Sequence, residues 1–410
     1  MKTILFSPIA FNLAETTRAI EIAKALSNDF NCHFVSYGGA YEPMLEKSGF
    51  SHTRLEPRLT PQAIQKLYAF DHGHWIGAPY SLEAVRQMVL GELELFKRIK
   101  PVAVVTGTHP SNCISCPVAQ IPLVCIVQSG MALNTAARRG RLKNLDVLDT
   151  VPIRWLPAGI RSKLSEWLLD IVLKVAARPF NQLAGEYGVK PIHHLEDFFL
   201  AGYHLLVTEP SGFSDPVFPS KAHFVGPLIA HLDAALPEEV LNLPRDLPLI
   251  YFTMGSTGHP DIVARIIEGF KGKPYRVIAP VKDLLGQQTV QIPENVLVTG
   301  LLPALEVNRL ADIAVIHGGI GTIMIACLAG KPVVGIAMSP EQLINLENLV
   351  AKGFAIRISK RELNTTNLCQ TIDRLLADPV ARQKALAYQV EVEKWDSQKL
   401  IRDYFCATFG

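Results

Sequence analysis

The chain has 410 residues, 49% of them hydrophobic and 19% charged, and a formal net charge of +2. That length is too great for one hydrophobic core and suits two domains of about 200 residues each. The near-neutral balance excludes a general pull towards nucleic acid, and no run of ~18 apolar residues is present, so no transmembrane helix is expected.

Lys2 alone precedes an apolar run broken at Asn12 and Glu15, which reads as a first strand and not as a signal peptide. Thr3 to Ala10 has a strand pattern, Ala14 to Leu26 a helical one, and His33 to Tyr37 forms a second strand. The alternation returns at Val102 to Thr106 and at Leu123 to Val127, the pattern of a parallel, doubly wound α/β sheet. Asp71-His72-Gly73-His74-Trp75 falls in a loop between helices, and His109 follows the strand end at Gly107. Either His74 or His109 is placed to act as a proton acceptor, although loop histidines are commonly exposed and idle.

Cys113-x-x-Cys116 has no second pair that would complete a zinc site, so both cysteines read as packing residues. Seven scattered cysteines point to a reducing compartment, and the expected location is cytoplasmic. Arg138, Arg139 and Arg141 form the one dense basic cluster and read as a solvated loop. Ile153 to Ala177 is the most apolar helical segment. Leu164, Leu168, Ile171, Val172 and Val175 share a face, set against Lys163, Glu166 and Asp170. Core packing is the plain reading, and contact with a membrane surface is the other. His193-His194 lacks a spaced third ligand and reads as loop. Four prolines from Pro227 to Pro248, with acidic residues between them, suit an exposed linker.

A second alternation begins with Leu249 to Phe252, followed by Met254-Gly255-Ser256-Thr257-Gly258, a small-residue turn opening a helix. Val296 to Gly300 leads into Leu301-Leu302-Pro303. Ala311 to Ile316 is a buried strand, His317-Gly318-Gly319-Ile320-Gly321-Thr322 a glycine-rich turn, and the helix after it runs to Ala329-Gly330. Such a turn leaves the first helix amides without internal partners, and with the positive end of the helix dipole they suit a phosphate or pyrophosphate. Gly318, Gly319 and Gly321 keep side chains out of the way, and His317 can add a donor. The bare alternative is a tight turn with no ligand. Val380 to Phe405, with Trp395, reads as one C-terminal helix.

The run HGGIGT, the following KPVVGIAMSPEQLIN and Gly353 resemble the donor-binding signature of GT-B nucleotide-sugar glycosyltransferases, in particular the UDP-glycosyltransferase and macrolide-glycosyltransferase group. The resemblance implies an α/β fold of two Rossmann-like, doubly wound parallel-sheet domains facing each other across a cleft. Residues 1–226 would bind the acceptor, 227–247 would be linker, 248–385 would bind the donor, and 386–410 would be a helix crossing back. It further implies that Gly255 and Ser256 lie near the donor phosphates and that backbone around Leu302 holds the base. His317, Gly318, Gly319, Gly321 and Thr322 would take the pyrophosphate, and Glu341 and Gln342 the sugar hydroxyls.

Several positions depart from that family pattern. Glu15 stands where the family has the His that serves as general base, and Gly107 where it has the Asp that orients this His. Ala304 replaces a Gln beside the base, and Ile325 a Glu that binds the ribose hydroxyls. Glu15 is then either the base, since a carboxylate needs no partner to fix a tautomer, or only a favourable charge in the first turn of a helix. Ile325 leaves both UDP- and dTDP-sugars open.

The function implied is an inverting transfer of a sugar to an apolar small-molecule or lipid acceptor. No cofactor or metal is expected, no nucleic acid partner and no transmembrane segment. Peripheral membrane contact is compatible with this, as is a monomer or a homodimer. A nucleotide-sugar epimerase, or a binding protein of the same fold that has lost catalysis, would share these motifs.

Overall fold

The computed structural model describes residues 1–71, 75, 77–131, 155–194, 197–198, 202–214, 218, 222–230, 232, 234–255, 258–286 and 288–410. The chain divides into two compact units, Met1–Ala230 with Asp396–Gly410, and His231–Trp395.

The first unit is built on seven parallel strands: β1 (Thr3–Ser7), β2 (Asn31–Ser36), β3 (Ser51–Arg54), β4 (Ala103–Thr106), β5 (Leu123–Val127), β6 (His204–Val207) and β7 (Ala222–Phe224). Their order across the sheet is β3-β2-β1-β4-β5-β6-β7. Phe6 pairs in register with Phe34 on one side and Val105 on the other. The central strands β1, β4, β5 and β6 are buried almost throughout because helices cover both faces of the sheet there, whereas the edge strand β3 is polar. Ile4, Phe6, Val105 and Ile126 pack with Ile22 and Leu26 of the helix Leu13–Leu26 and with Ile401, Phe405 and Phe409 near the C-terminus. Leu5, Val104, Cys125 and Val127 face the other way, onto Leu95 and Phe96 of the helix Leu82–Ile99.

The second unit repeats the plan with six parallel strands: β8 (Leu249–Thr253), β9 (Arg276–Ala279), β10 (Val296–Val298), β11 (Ile313–Ile316), β12 (Val333–Gly335) and β13 (Ala355–Arg357). Here the order is β10-β9-β8-β11-β12-β13. In each sheet the chain first winds one way from its opening strand and then returns to that strand's other side. The reversal lies between β1 and β4, and again between β8 and β11. At such a switch point the loops at the carboxyl ends of the two strands diverge and leave a crevice for a ligand.

Three expectations change. The single C-terminal helix is two helices, Pro379–Glu393 and Ser397–Phe409, and the second unit ends between them at Trp395. Asp396 makes the break, its carboxylate accepting from Lys399 N at 3.0 Å as a new N-cap. The proline-rich stretch 227–247 is not a free spacer. It carries the short helix Glu238–Leu241, and Val240 is buried against Tyr251 and Leu302. The long apolar helix spans Ala158–Glu186, and its buried residues are Leu173, Ala176, Ala177, Phe180 and Leu183. The face expected from Leu164 to Val175 is only half-buried. The buried stripe lies beside it because Phe180 and Leu183 pack with Val85, Met88 and Val89 of the helix Leu82–Ile99.

Candidate functional site

At the switch point of the first sheet, Ser7 ends β1 and a short loop leads to Asn12, which caps the helix Leu13–Leu26 by accepting from Glu15 N. Glu15 thus stands in the first turn with its side chain directed back at the strand ends. Its Oε1 accepts from Ile9 N at 2.9 Å and from Thr108 N at 3.0 Å, while Oε2 accepts from the Thr108 hydroxyl. Ile9 follows β1 and Thr108 follows β4, so one carboxylate ties together the two loops that diverge there. Glu15 is buried and Thr108 half-buried. Burial raises the Glu15 pKa above the ordinary carboxylate value, partly offset by the hydrogen bonds from Thr108 and Ile9 and by Arg18. Arg18, one turn on, donates to Gln128 Oε1 at 2.8 Å, at the end of β5.

His109, the next residue after Thr108, faces a different network. Its Nδ1 lies 2.9 Å from Ser111 Oγ, and Ser111 donates to Glu92 Oε1. Because that hydroxyl proton is committed to Glu92, Nδ1 carries the imidazole hydrogen and Nε2 is an acceptor, buried with no hydrogen-bond partner among the described residues. The ring stacks on Tyr37 with centroids 4.7 Å apart, and burial lowers its pKa to about 3. A neutral imidazole this weakly basic accepts protons less well than the Glu15 carboxylate. His74 and its neighbour His72 lie outside the described residues.

The other sequence candidates in this unit are structural. Cys116 is buried and Cys113 half-buried in the helix Asn112–Ala119. His194 is not a loose loop residue: it is buried, with Nε2 2.6 Å from Asp170 Oδ1. The arginine cluster 138–141 lies outside the described residues.

The second sheet repeats the arrangement with other chemistry. After β11, His317 and Gly318 lead into the helix Ile320–Leu328. Gly318 has φ +90° and Gly255, at the end of β8, φ +58°, both in the region that favours glycine. The His317 ring is wedged against two glycines. A Cβ on Gly255 would stand 2.5 Å from its Cε1, and one on Gly319 2.7 Å from its Nε2. Burial lowers the pKa of His317 to about 4, so it is neutral at physiological pH.

Thr322 turns its hydroxyl onto Gly319 O at 2.8 Å. Gly319, Gly321, Thr322 and Ile325 are half-exposed, whereas Gly318 and His317 are buried. Asn345, fully buried, donates from Nδ2 to Gly318 O at 3.2 Å and to Glu341 Oε1 at 3.3 Å. Gln342 Oε1 accepts from Met338 N at 2.8 Å. The Leu302 side chain is in the core beside Val307, so only its backbone is suited to meet a ligand. Ser256 lies outside the described residues.

Residues 275–394 match the family described as Erythromycin biosynthesis protein CIII-like, C-terminal domain. Among solved structures, the glycotransferase of kitacinnamycin aligns with a TM-score of 0.72 at 17% identity, over 100% of this chain and 99% of that one. This chain has the GT-B fold. A PGL/p-HBAD biosynthesis glycosyltransferase of Mycobacterium tuberculosis is 24% identical to the GT-B chain over 385 residues, 93% of this chain and 86% of the relative. The spinosyn rhamnosyltransferase SpnG complexed with thymidine diphosphate aligns with a TM-score of 0.67 at 13% identity, over 98% of this chain and 100% of that one.

Within the GT-B fold the structure brings Glu15 and Gly107 together at one switch point, and Gly255, His317, Gly318 and Gly319 at the other. Sequence reasoning missed Thr108. The signal was its place beside Gly107 at the end of a switch-point strand, which marks a loop residue there for attention.

Proposed function

We propose that the protein transfers a sugar from a nucleoside diphosphate donor to a hydroxyl group of an apolar small-molecule or lipid acceptor, with inversion at the anomeric carbon. The observation that carries this reading is the turn from His317 to Thr322 at the second switch point. Its backbone bends through Gly318 at φ +90°, and within it, capped by Gly319, the nine-residue helix Ile320–Leu328 begins.

Free amides at a helix start, together with the dipole, stabilise the negative charge that grows on a leaving diphosphate. Asn345 and His317 hold the turn in shape. Glu341 and Gln342 are the residues to meet the sugar, and Gly255, Ser256 and the Leu302 backbone the rest of the nucleotide. Glu15 is the base. It receives the acceptor proton and so raises the nucleophilicity of the attacking oxygen, and its raised pKa favours that role over His109. Trp155, Ile160 and Trp167, exposed on and just before the helix Ala158–Glu186, support an apolar acceptor. No metal enters this scheme.

A thermal-shift screen against UDP, dTDP, GDP and their sugars tests the donor site, since a ligand at ~100 times its dissociation constant adds about 2.7 kcal/mol. UDP or dTDP is expected to stabilise the protein equally with and without EDTA, and His317→Ala is expected to weaken that binding. Preference for dTDP would fit Ile325, whose apolar side chain cannot accept from a ribose 2′-hydroxyl. Stabilisation by no nucleotide would end the transferase reading.

A further inference from the structure

Glu15 is well placed to hold a proton and poorly placed to meet an acceptor. It is buried, and its Oε1 is engaged by the Ile9 and Thr108 amides. Oε2 receives the Thr108 hydroxyl, and Thr108 is the half-exposed member of the pair. Gly107 makes this geometry possible, because a Cβ there would stand 2.6 Å from Glu15 Cδ. The hydroxyl proton of Thr108 points inward to the carboxylate, which leaves the lone pairs of Oγ1 free to accept from outside.

We propose that Thr108 is a catalytic residue: its hydroxyl accepts the proton of the acceptor's hydroxyl group and in the same step passes its own proton to Glu15 Oε2. This rests on the reading of the protein as a glycosyltransferase with Glu15 as base. The balance is complete. The acceptor O–H bond breaks as a new O–H bond forms on Thr108, and the old Thr108 O–H bond breaks as Glu15 becomes a carboxylic acid. The acceptor oxygen uses its freed electron pair to form the bond to the anomeric carbon, and the nucleoside diphosphate departs with the pair of the broken glycosyl bond. No hydrogen bond of the resting protein has to reverse, since Thr108 already donates to Glu15. The product acid then returns its proton to solvent by the same route.

The test compares Thr108→Val, Thr108→Ser and Glu15→Gln with the wild type, using kcat, the donor KM and a proton inventory in H₂O/D₂O mixtures. Valine matches threonine in shape and keeps the backbone N–H to Oε1, so Glu15 stays in place. Thr108→Val is expected to lose ~100-fold or more in kcat with the donor KM and the nucleotide thermal shift unchanged. Thr108→Ser restores most of the rate. The wild-type inventory is expected to curve, as two protons in flight require.

If Thr108→Val keeps wild-type kcat while Glu15→Gln is inactive, or if the inventory is linear, Glu15 takes the proton directly. The relay then falls while the transferase reading stands. If Glu15→Gln is also fully active, the base assignment falls with it. If the wild type transfers no sugar from any nucleotide donor, the functional reading fails and the relay fails too.

Discussion

Glu15 fills the space in front of Gly107: a Cβ at residue 107 would lie 2.6 Å from the Glu15 Cδ and 2.7 Å from its Oε1. The two residues stand at the positions where the resembling family has its His and Asp. The Glu15 carboxylate occupies the ground that any side chain at 107 would need.

The prediction is coupling between the two sites. Gly107→Ala should cost about 1–3 kcal/mol as an overpacked contact and displace the carboxylate, with kcat falling alongside. Glu15→His alone and Gly107→Asp alone should each be nearly inactive, the second because two carboxylates would compete for one place. The double variant should recover more activity than the singles allow if they were independent, a non-additivity read from a double-mutant cycle of kcat/KM. Additive losses would mean that the positions do not share their space.

The burial of Glu15 also predicts a pH dependence of stability. Its folded pKa is raised above the unfolded one, so between the two values the folded protein holds a proton that the unfolded chain has released. Stability from this group is therefore present in acid and lost as pH rises through the folded pKa. Glu15→Gln removes the term, so wild type should lose ground to the variant as pH rises above the ordinary carboxylate pKa of about 4, and the gap should level off once pH has passed the folded pKa. Glu92 and Glu209 are raised by burial as well, but they are common to both proteins and cancel. Denaturant midpoints across this range measure the difference, and a gap independent of pH would show that Glu15 titrates normally.

Much of this was legible in the sequence for a physical reason. Parallel strands covered on both faces read as unbroken apolar runs, so Leu123–Val127 and the strand before His317 could be placed from composition alone. The glycine turn was legible because Gly255 and Gly318 take positive φ, which restricts the residue type. The partner of Glu15 was not. Thr108 lies 93 residues further along the chain, and nothing local to either residue encodes their hydrogen bond. The break at Asp396 was hidden for a related reason: an apolar period continues past Trp395, and only the cap on Lys399 N reveals a new helix. The register of the helix Ala158–Glu186 was set by Val85 and Met88, which are remote in sequence.

The last prediction concerns Asn345 and the orientation of a single peptide. Its Nδ2 donates to Gly318 O, which fixes the plane of the peptide joining Gly318 to Gly319. In a trans peptide the C=O and N–H point in opposite directions, so the Gly319 N–H is aimed away from Asn345, at the start of the helix Ile320–Leu328. Asn345 is fully buried and the same Nδ2 also donates to Glu341 Oε1 at 3.3 Å, which holds the amide in place. Asn345→Ala frees the peptide to rotate and should weaken UDP or dTDP binding roughly tenfold, the worth of one oriented hydrogen bond. Asn345→Asp, with no donor and an added negative charge, should weaken it more. Affinity for the bare nucleoside should hardly change, since the nucleoside has no phosphate for the Gly319 amide to meet. Titration calorimetry with nucleoside and nucleoside diphosphate separates these cases. An equal loss for both ligands would mean that Asn345 supports the fold of the unit and does not aim the amide.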